Sequence, residues 1–177
     1  MKDGEPAPKG QPNVPVTKGP AKPPSEVVEA PPNLGSGHPS PTTEILPGIG
    51  IFGLHADKRH RVYIRIAPSD WTLYRRRIDI HVRAGMTIVA PDGEPTHTLG
   101  MGTDSQNGWY ILPAGQNASY FLSGLWFHEG WWRPGAIAVS TDVCEHGVRY
   151  DISWAHAGHQ VEEFKQFKVQ VIVHRGE

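Results

Sequence analysis

From Ile45 onward, apolar and polar side chains take turns along the chain. Val62, Ile64 and Ile66 fall on one side of an extended segment, with Tyr63 and Arg65 on the other. Ile78, Ile80 and Val82 alternate with Arg77, Asp79, His81 and Arg83. Val148, Tyr150, Ile152 and Trp154 alternate with Arg149, Asp151 and Ser153, and Phe167, Val169, Val171 and Val173 with Lys168, Gln170 and His174. A period of two marks a strand buried on one face. Weaker strands are expected over residues 48–54, 86–90, 108–112, 118–123 and 136–143. Turn chemistry separates the candidates, as in Ala67-Pro68-Ser69-Asp70, Pro91-Asp92-Gly93-Glu94-Pro95, Pro113-Ala114-Gly115 and Glu145-His146-Gly147. No segment carries a 3.6-residue apolar stripe, although residues 161–168 can begin a turn of helix before a strongly β sequel. Short strands that each need one covered face predict an all-β fold, an antiparallel β-sandwich, jelly-roll-like, over residues 45–177.

Residues 1–44 have another texture. They hold 11 of the chain's 17 prolines and no Phe, Trp or Tyr. Such a segment cannot bury enough apolar surface to offset the entropy of ordering it. It is expected to be an extended Pro-rich N-terminal arm, removable without unfolding the body. Lys9-Gly10-Gln11-Pro12-Asn13-Val14-Pro15 fits the basic-x-x-Pro-x-x-Pro pattern of SH3 ligands, a match that proline-rich tethers also produce by composition.

Charge narrows the partners. The 177 residues carry a formal net charge of −1, so neither nucleic acid nor an anionic membrane is an expected partner. Residues 57–83 hold eight Lys/Arg against three Asp/Glu, and residues 84–177 hold five against ten. That split suits head-to-tail association, unless strands of the two halves interleave and average it out. Cys144 is the sole cysteine, which rules out an internal disulfide and fits a reducing compartment. With no leader-like start and no apolar run of about 20 residues, synthesis in the cytoplasm is expected, with a virion as a later location for such a chain.

The densest chemistry lies in Leu125-Trp126-Phe127-His128-Glu129-Gly130-Trp131-Trp132-Arg133-Pro134, which holds three of the six tryptophans. It reads as a strand end running into a loop, with Gly130 and Pro134 as breakers. Trp126, His128, Trp131, Trp132 and Arg133 are the candidate binding residues, for a protein surface or as a stacking platform for sugar rings. Adjacent Trp131 and Trp132 cannot both face inward on a strand.

Metal and catalytic motifs are weak. Cys144 and His146 sit on one turn and His156 and His159 beyond the next strand, about 25–30 Å away at the usual strand rise, too far to share an ion. His156 and His159 alone are a bare pair, and His55 and His60 merely flank a turn. Asp92, Glu94 and Asp104 are loop acids that could form a calcium site. Arg75-Arg76-Arg77 cannot place all three charges on one face and is expected to be solvated. The glycines of residues 100–108 precede a strand, not a helix, and Asn117-Ala118-Ser119 matches a glycosylation site that is idle without secretion. No serine-hydrolase elbow, phosphate loop or metalloprotease helix is present.

The expected function is therefore a non-enzymatic structural or adaptor subunit of a larger assembly, of the virion decoration, head-fibre or tail build. It would need no cofactor, form homo-oligomers and dock on neighbouring protein through its arm and aromatic segment. A carbohydrate-binding module and a metal-dependent jelly-roll enzyme are the alternatives.

Overall fold

The computed structural model describes residues 23–24, 26–37, 42–46, 50–67, 75–89, 92–100, 108–112, 117–128, 130–134, 136–155 and 167–176. For residues 42–46, 75, 126, 128, 131–134, 136 and 155 it describes the backbone alone. Among the described residues the regular structure is entirely β. The strands are β1 (Glu26–Val28), β2 (Thr42–Leu46), β3 (Ile51–Ala56), β4 (His60–Ile66), β5 (Arg75–Ala84) and β6 (His97–Gly100). They continue with β7 (Trp109–Ile111), β8 (Ala118–His128), β9 (Trp131–Pro134), β10 (Ala136–Cys144), β11 (Gly147–Ala155) and β12 (Lys168–Arg175).

All pairings are antiparallel. One sheet runs β1-β7-β4-β12-β11-β10-β2, the other β3-β8-β5-β6. Strand β5 covers one edge of β8 along nearly its whole length. The other edge is shared end to end, with β3 against residues 118–123 and β9 against residues 125–128. The chain passes between the sheets at β2–β3, β3–β4, β4–β5, β6–β7, β7–β8 and β9–β10.

The alternation seen in the sequence decides what lies between the sheets. Val62, Ile64, Ile66, Ile152, Trp154, Val169, Val171 and Val173 from one sheet meet Ile78, Ile80, Leu99, Tyr120 and Leu122 from the other in one buried cluster. The arrangement is sandwich-like. Trp154 is its largest fully buried side chain. Its indole lies where a Cβ on Gly124 would stand, so position 124 of β8 must be glycine for the tryptophan to fit. The indole Nε1 donates to the Gly50 carbonyl oxygen at 2.8 Å, fixing the start of β3 to the other sheet. Burying a large aromatic while satisfying its one polar atom is what makes such a position stable.

Several expectations change. Residues 86–89 are not a strand, and residue 90 of that expectation lies outside the described residues. The chain turns at Gly85 (φ 80°) and leaves the sheet, and Met86, Ile88 and Val89 stay out in solvent. Residues 125–134 are not a strand running into a loop but a hairpin, with Trp126 opposite Arg133, Phe127 opposite Trp132 and His128 opposite Trp131. The two charged halves interleave: β4 lies between β7 and β12, and β5 between β6 and β8. Residues 101–107, 156–159 and 161–166 lie outside the described residues, and with them Asp104, His156, His159 and the possible helical turn.

The folded body also begins before Ile45. Strand β1 pairs with β7 at one edge of the larger sheet, and β2 pairs with β10 at the other. Between them residues 29–37 form a strap over the sheet's outer face. Leu34 packs with Tyr63, Trp109 and Ile172, which face away from the main core, and Val28 flanks them. The strap is pinned to the β10–β11 turn: His146 N donates to Leu34 O at 2.8 Å and Glu145 N to Ser36 O at 3.0 Å. Proline-rich composition did not keep this segment off the body, because one leucine and one strand suffice to cover three otherwise exposed apolar side chains. Deleting residues 1–44 would therefore remove β1 and three of the five residues of β2. Residues 1–22, 25 and 38–41 are the parts of the arm outside the described residues.

Candidate functional site

Alternation assigns the outer face of the smaller sheet. On β5 the inward residues are Ile78, Ile80 and Val82, which leaves Arg77, Asp79 and His81 facing out. Register then lines up rows across the strands. Ile51, Ser123, Asp79 and Thr98 form one; Gly53, Phe121 and His81 form the next; His55, Ser119 and Arg83 form the third. This face is only partly wet. Arg77, Asp79, His81, Thr98, Ser119 and Phe121 are all buried.

Two structures account for that. The first is an ion pair: Arg77 Nε lies 2.9 Å from Asp79 Oδ1, Arg77 Nη2 donates to Asp79 Oδ2 at 3.0 Å, and Thr98 Oγ1 donates to Oδ1 at 3.3 Å. Arg77 thus contradicts the expectation of a solvated arginine run, while Arg76 lies with its guanidinium 5.5 Å from the Phe167 ring centroid. Burial pushes the Asp79 carboxyl above its ordinary range, against the pull of Arg77. A buried pair held by a two-pronged guanidinium contact is costly to break, though weak evidence for net stability.

The second is the excursion that leaves the sheet at Gly85 and returns by Thr96, tied down at both ends, of which residues 85–89 and 92–96 are described. Ser119 Oγ donates to Gly85 O at 2.8 Å and accepts from Thr87 N at 3.0 Å. His81 Nε2 donates to Gly93 O at 3.1 Å, and Thr96 Oγ1 accepts from Val82 N at 3.0 Å. Between the excursion and β3 lies a groove of about 430 Å³ lined by Ile51, Gly53, His55, Phe121, Met86 and Ile88, among others. That volume is in the range of ligand-binding clefts, and its walls are mainly apolar.

His55 Nδ1 lies 3.5 Å from Ser119 Oγ at the end of this groove. The pair has the outline of a base and a nucleophile. Ser119, however, is 1% exposed, and its hydroxyl proton is engaged by Gly85 O. It works as a fastener for the excursion, which leaves no reactive oxygen for a substrate to meet.

The sequence candidates are placed as follows. The β8–β9 register puts positions 126, 128, 131 and 133 on one face of the hairpin and 127 and 132 on the other. The three tryptophans are thus split between faces, and the side chains of Trp126, His128, Trp131, Trp132 and Arg133 lie outside the described atoms. Cys144 and His146 sit at the β10–β11 turn, at the far end of β11 from Ala155, as the spacing argument requires. His60 Nδ1 contacts Asp57 Oδ1 at 2.7 Å across the β3–β4 turn, and His55 faces the groove, so the two histidines serve different surroundings. Among the described residues, no group of three or more His, Cys, Asp or Glu side chains is arranged to hold a metal ion.

Sequence reading missed the groove. Its signals were present in outline: an apolar run, Met86 to Val89, bracketed by Gly85 and Pro91, and a glycine in mid-strand at position 53. Compared with protein-family models, with curated proteins and with solved structures, the chain gives no match.

Proposed function

We propose that the protein is a non-enzymatic structural or adaptor subunit of a larger assembly, of the decoration, head-fibre or tail kind found on virions. It docks on protein and forms homo-oligomers. The observation that carries this reading is the rim of the groove: Met86, Ile88 and Val89 are 77, 95 and 72% exposed on one short excursion. Large apolar side chains held side by side in water mark a surface that a partner covers. The engaged Ser119 hydroxyl supports the same reading over a catalytic one. The repeated passage of the chain between the sheets supports a jelly-roll-like winding, a build suited to presenting loops from a rigid body. In this reading the proline-rich residues 1–22, which join the body beside β1, act as a tether that raises the effective concentration of neighbouring copies.

Native mass spectrometry tests the proposal on three chains: the full chain, the chain lacking residues 1–22, and Ile88→Asp. The full chain is expected as an oligomer and both variants as monomers with unchanged β-sheet circular dichroism. A full chain that stays monomeric at high micromolar concentration overturns the reading.

A further inference from the structure

We propose that the strap over the larger sheet is an acid-released cover. Protonation of the histidines gathered at its anchor frees residues 29–37 and opens Tyr63, Trp109 and Ile172 to water. The device belongs to the sealed face and does not depend on the assembly reading above.

The strap is fastened at one place. Pro31 and Pro32 carry no N–H, so this stretch is a poor strand and cannot zip along the sheet. Among the described residues, its main-chain bonds to the sheet come from Glu145 N and His146 N, beside a bridge between Gly37 and Cys144. Leu34 is the one buried side chain among residues 29–37. The strap therefore comes away for the loss of two hydrogen bonds and one leucine contact, with every long strand ladder left whole.

Two histidines press on that attachment. His146 Cδ2 lies 3.3 Å from where a Cβ on Gly35 of the strap would stand. His174 shares the outer face with Ile172, and its partners in register are Gly147 and Arg61. A Cβ on Gly147 would lie 2.9 Å from Leu34 Cδ2 and 3.1 Å from His174 Cα. The missing side chain at 147 is thus the gap that Leu34 fills, beside His174. Burial, then the charges of His146 and His60, hold the His174 imidazole below its ordinary value of 6.5.

The surroundings offer a new positive charge little compensation. Arg61 flanks His174, and Arg175 is opposite His60. Asp57 is already engaged by His60 at 2.7 Å and Arg59 at 3.8 Å. Glu145 stands 3.8 Å from His146 Nε2, with its side chain 64% exposed. Asp142 lies opposite Arg149, and burial raises the Cys144 thiol, which keeps it neutral in acid. Strand β12 is paired on both sides, with β4 and β11, so His174 gains water by losing its cover and not by moving its strand. An imidazole held down by its cover binds a proton more readily once uncovered. Opening therefore takes up a proton, and falling pH drives it.

Amide hydrogen exchange, read residue by residue by NMR on the full chain at pH 7 and pH 5, tests this. The amides of Glu145 and His146 are the ones that the strap protects. Their protection factors are expected to fall about tenfold at pH 5, while those along β12 hold. His174→Gln should shrink the fall, His146→Gln/His174→Gln should abolish it, and about 0.5 M salt should reduce it in the parent chain. Leu34→Ala should show the low protection at both pH values. An equal fall along β12 means that the whole body loosens, and overturns the proposal. So does unchanged protection at Glu145 and His146, or a fall that neither His174→Gln nor salt diminishes.

Discussion

On the seven-stranded sheet, Tyr63, Trp109 and Ile172 point away from the core and are roofed by Leu34 of the chain's own strap. On the smaller sheet, Gly53 and His55 point outward into solvent, beside an apolar rim that the chain holds open. Both faces belong to one sandwich-like body and began with the same problem of excess outward-facing apolar surface. One is closed from within; the other keeps its trench and exposes more apolar surface through Met86 and Ile88. A fold able to seal one face and not the other leaves apolar surface uncovered, and the sealed face shows how little chain sealing takes.

The sharpest way to break this comparison is at the buried ion pair under the open face. Asp79→Ala strands Arg77 without its carboxylate and should cost about 3–5 kcal/mol in urea denaturation, whereas Arg77→Met/Asp79→Leu should cost much less. Equal losses in the two variants would mean that the pair is not the element holding that face. Next, Leu34→Ala removes the roof of the sealed face. A loss of about 2 kcal/mol is expected, at the low end for a buried leucine because a strap relaxes more easily than a core strand. A loss under about 0.5 kcal/mol would make the strap ornamental. On the open face, Ile88→Asp should shift stability by less than about 0.5 kcal/mol, as surface changes do, yet abolish association by native mass.

The smallest effect concerns pH. Burial, with His146 and His60 nearby, holds the His174 imidazole below its ordinary value of 6.5. Unfolding therefore takes up a proton as pH falls below that value, so stability should decline from pH 7 toward 5. His174→Gln should flatten part of that decline in thermal melts taken across the range. An unchanged slope would mean that another group carries it.

Much of the body was legible in the sequence. Wherever four or more alternating positions stood together, as in Ile78 to Val82 or Val148 to Trp154, a strand was found with the inward residues as read. Short strands were not legible: β1, β6 and β9 have three or four residues each, too few to show a period; β6 and β9 pair with the long strands β5 and β8, and β1 with the equally short β7. Residues 86–90 misled because an apolar run looks like a strand whether or not an edge is free to receive it. The buried Arg77 misled because charge pattern says nothing about which outward face another segment will cover. The aromatic stretch was singled out by composition, but its hairpin and the face each tryptophan takes were not, being set by the two-residue turn in which Gly130 has φ 83°.

The strap carries a consequence for how the chain is made. Val27 pairs with Tyr110 and Leu34 O binds His146 N, partners that lie roughly eighty and more than a hundred residues downstream. On a ribosome that segment emerges early and waits until most of the polypeptide has been synthesised before its docking surface exists. The closure of the larger sheet is thus postponed to the end of translation, and during that delay Tyr63, Trp109 and Ile172 are the residues a chaperone would find uncovered.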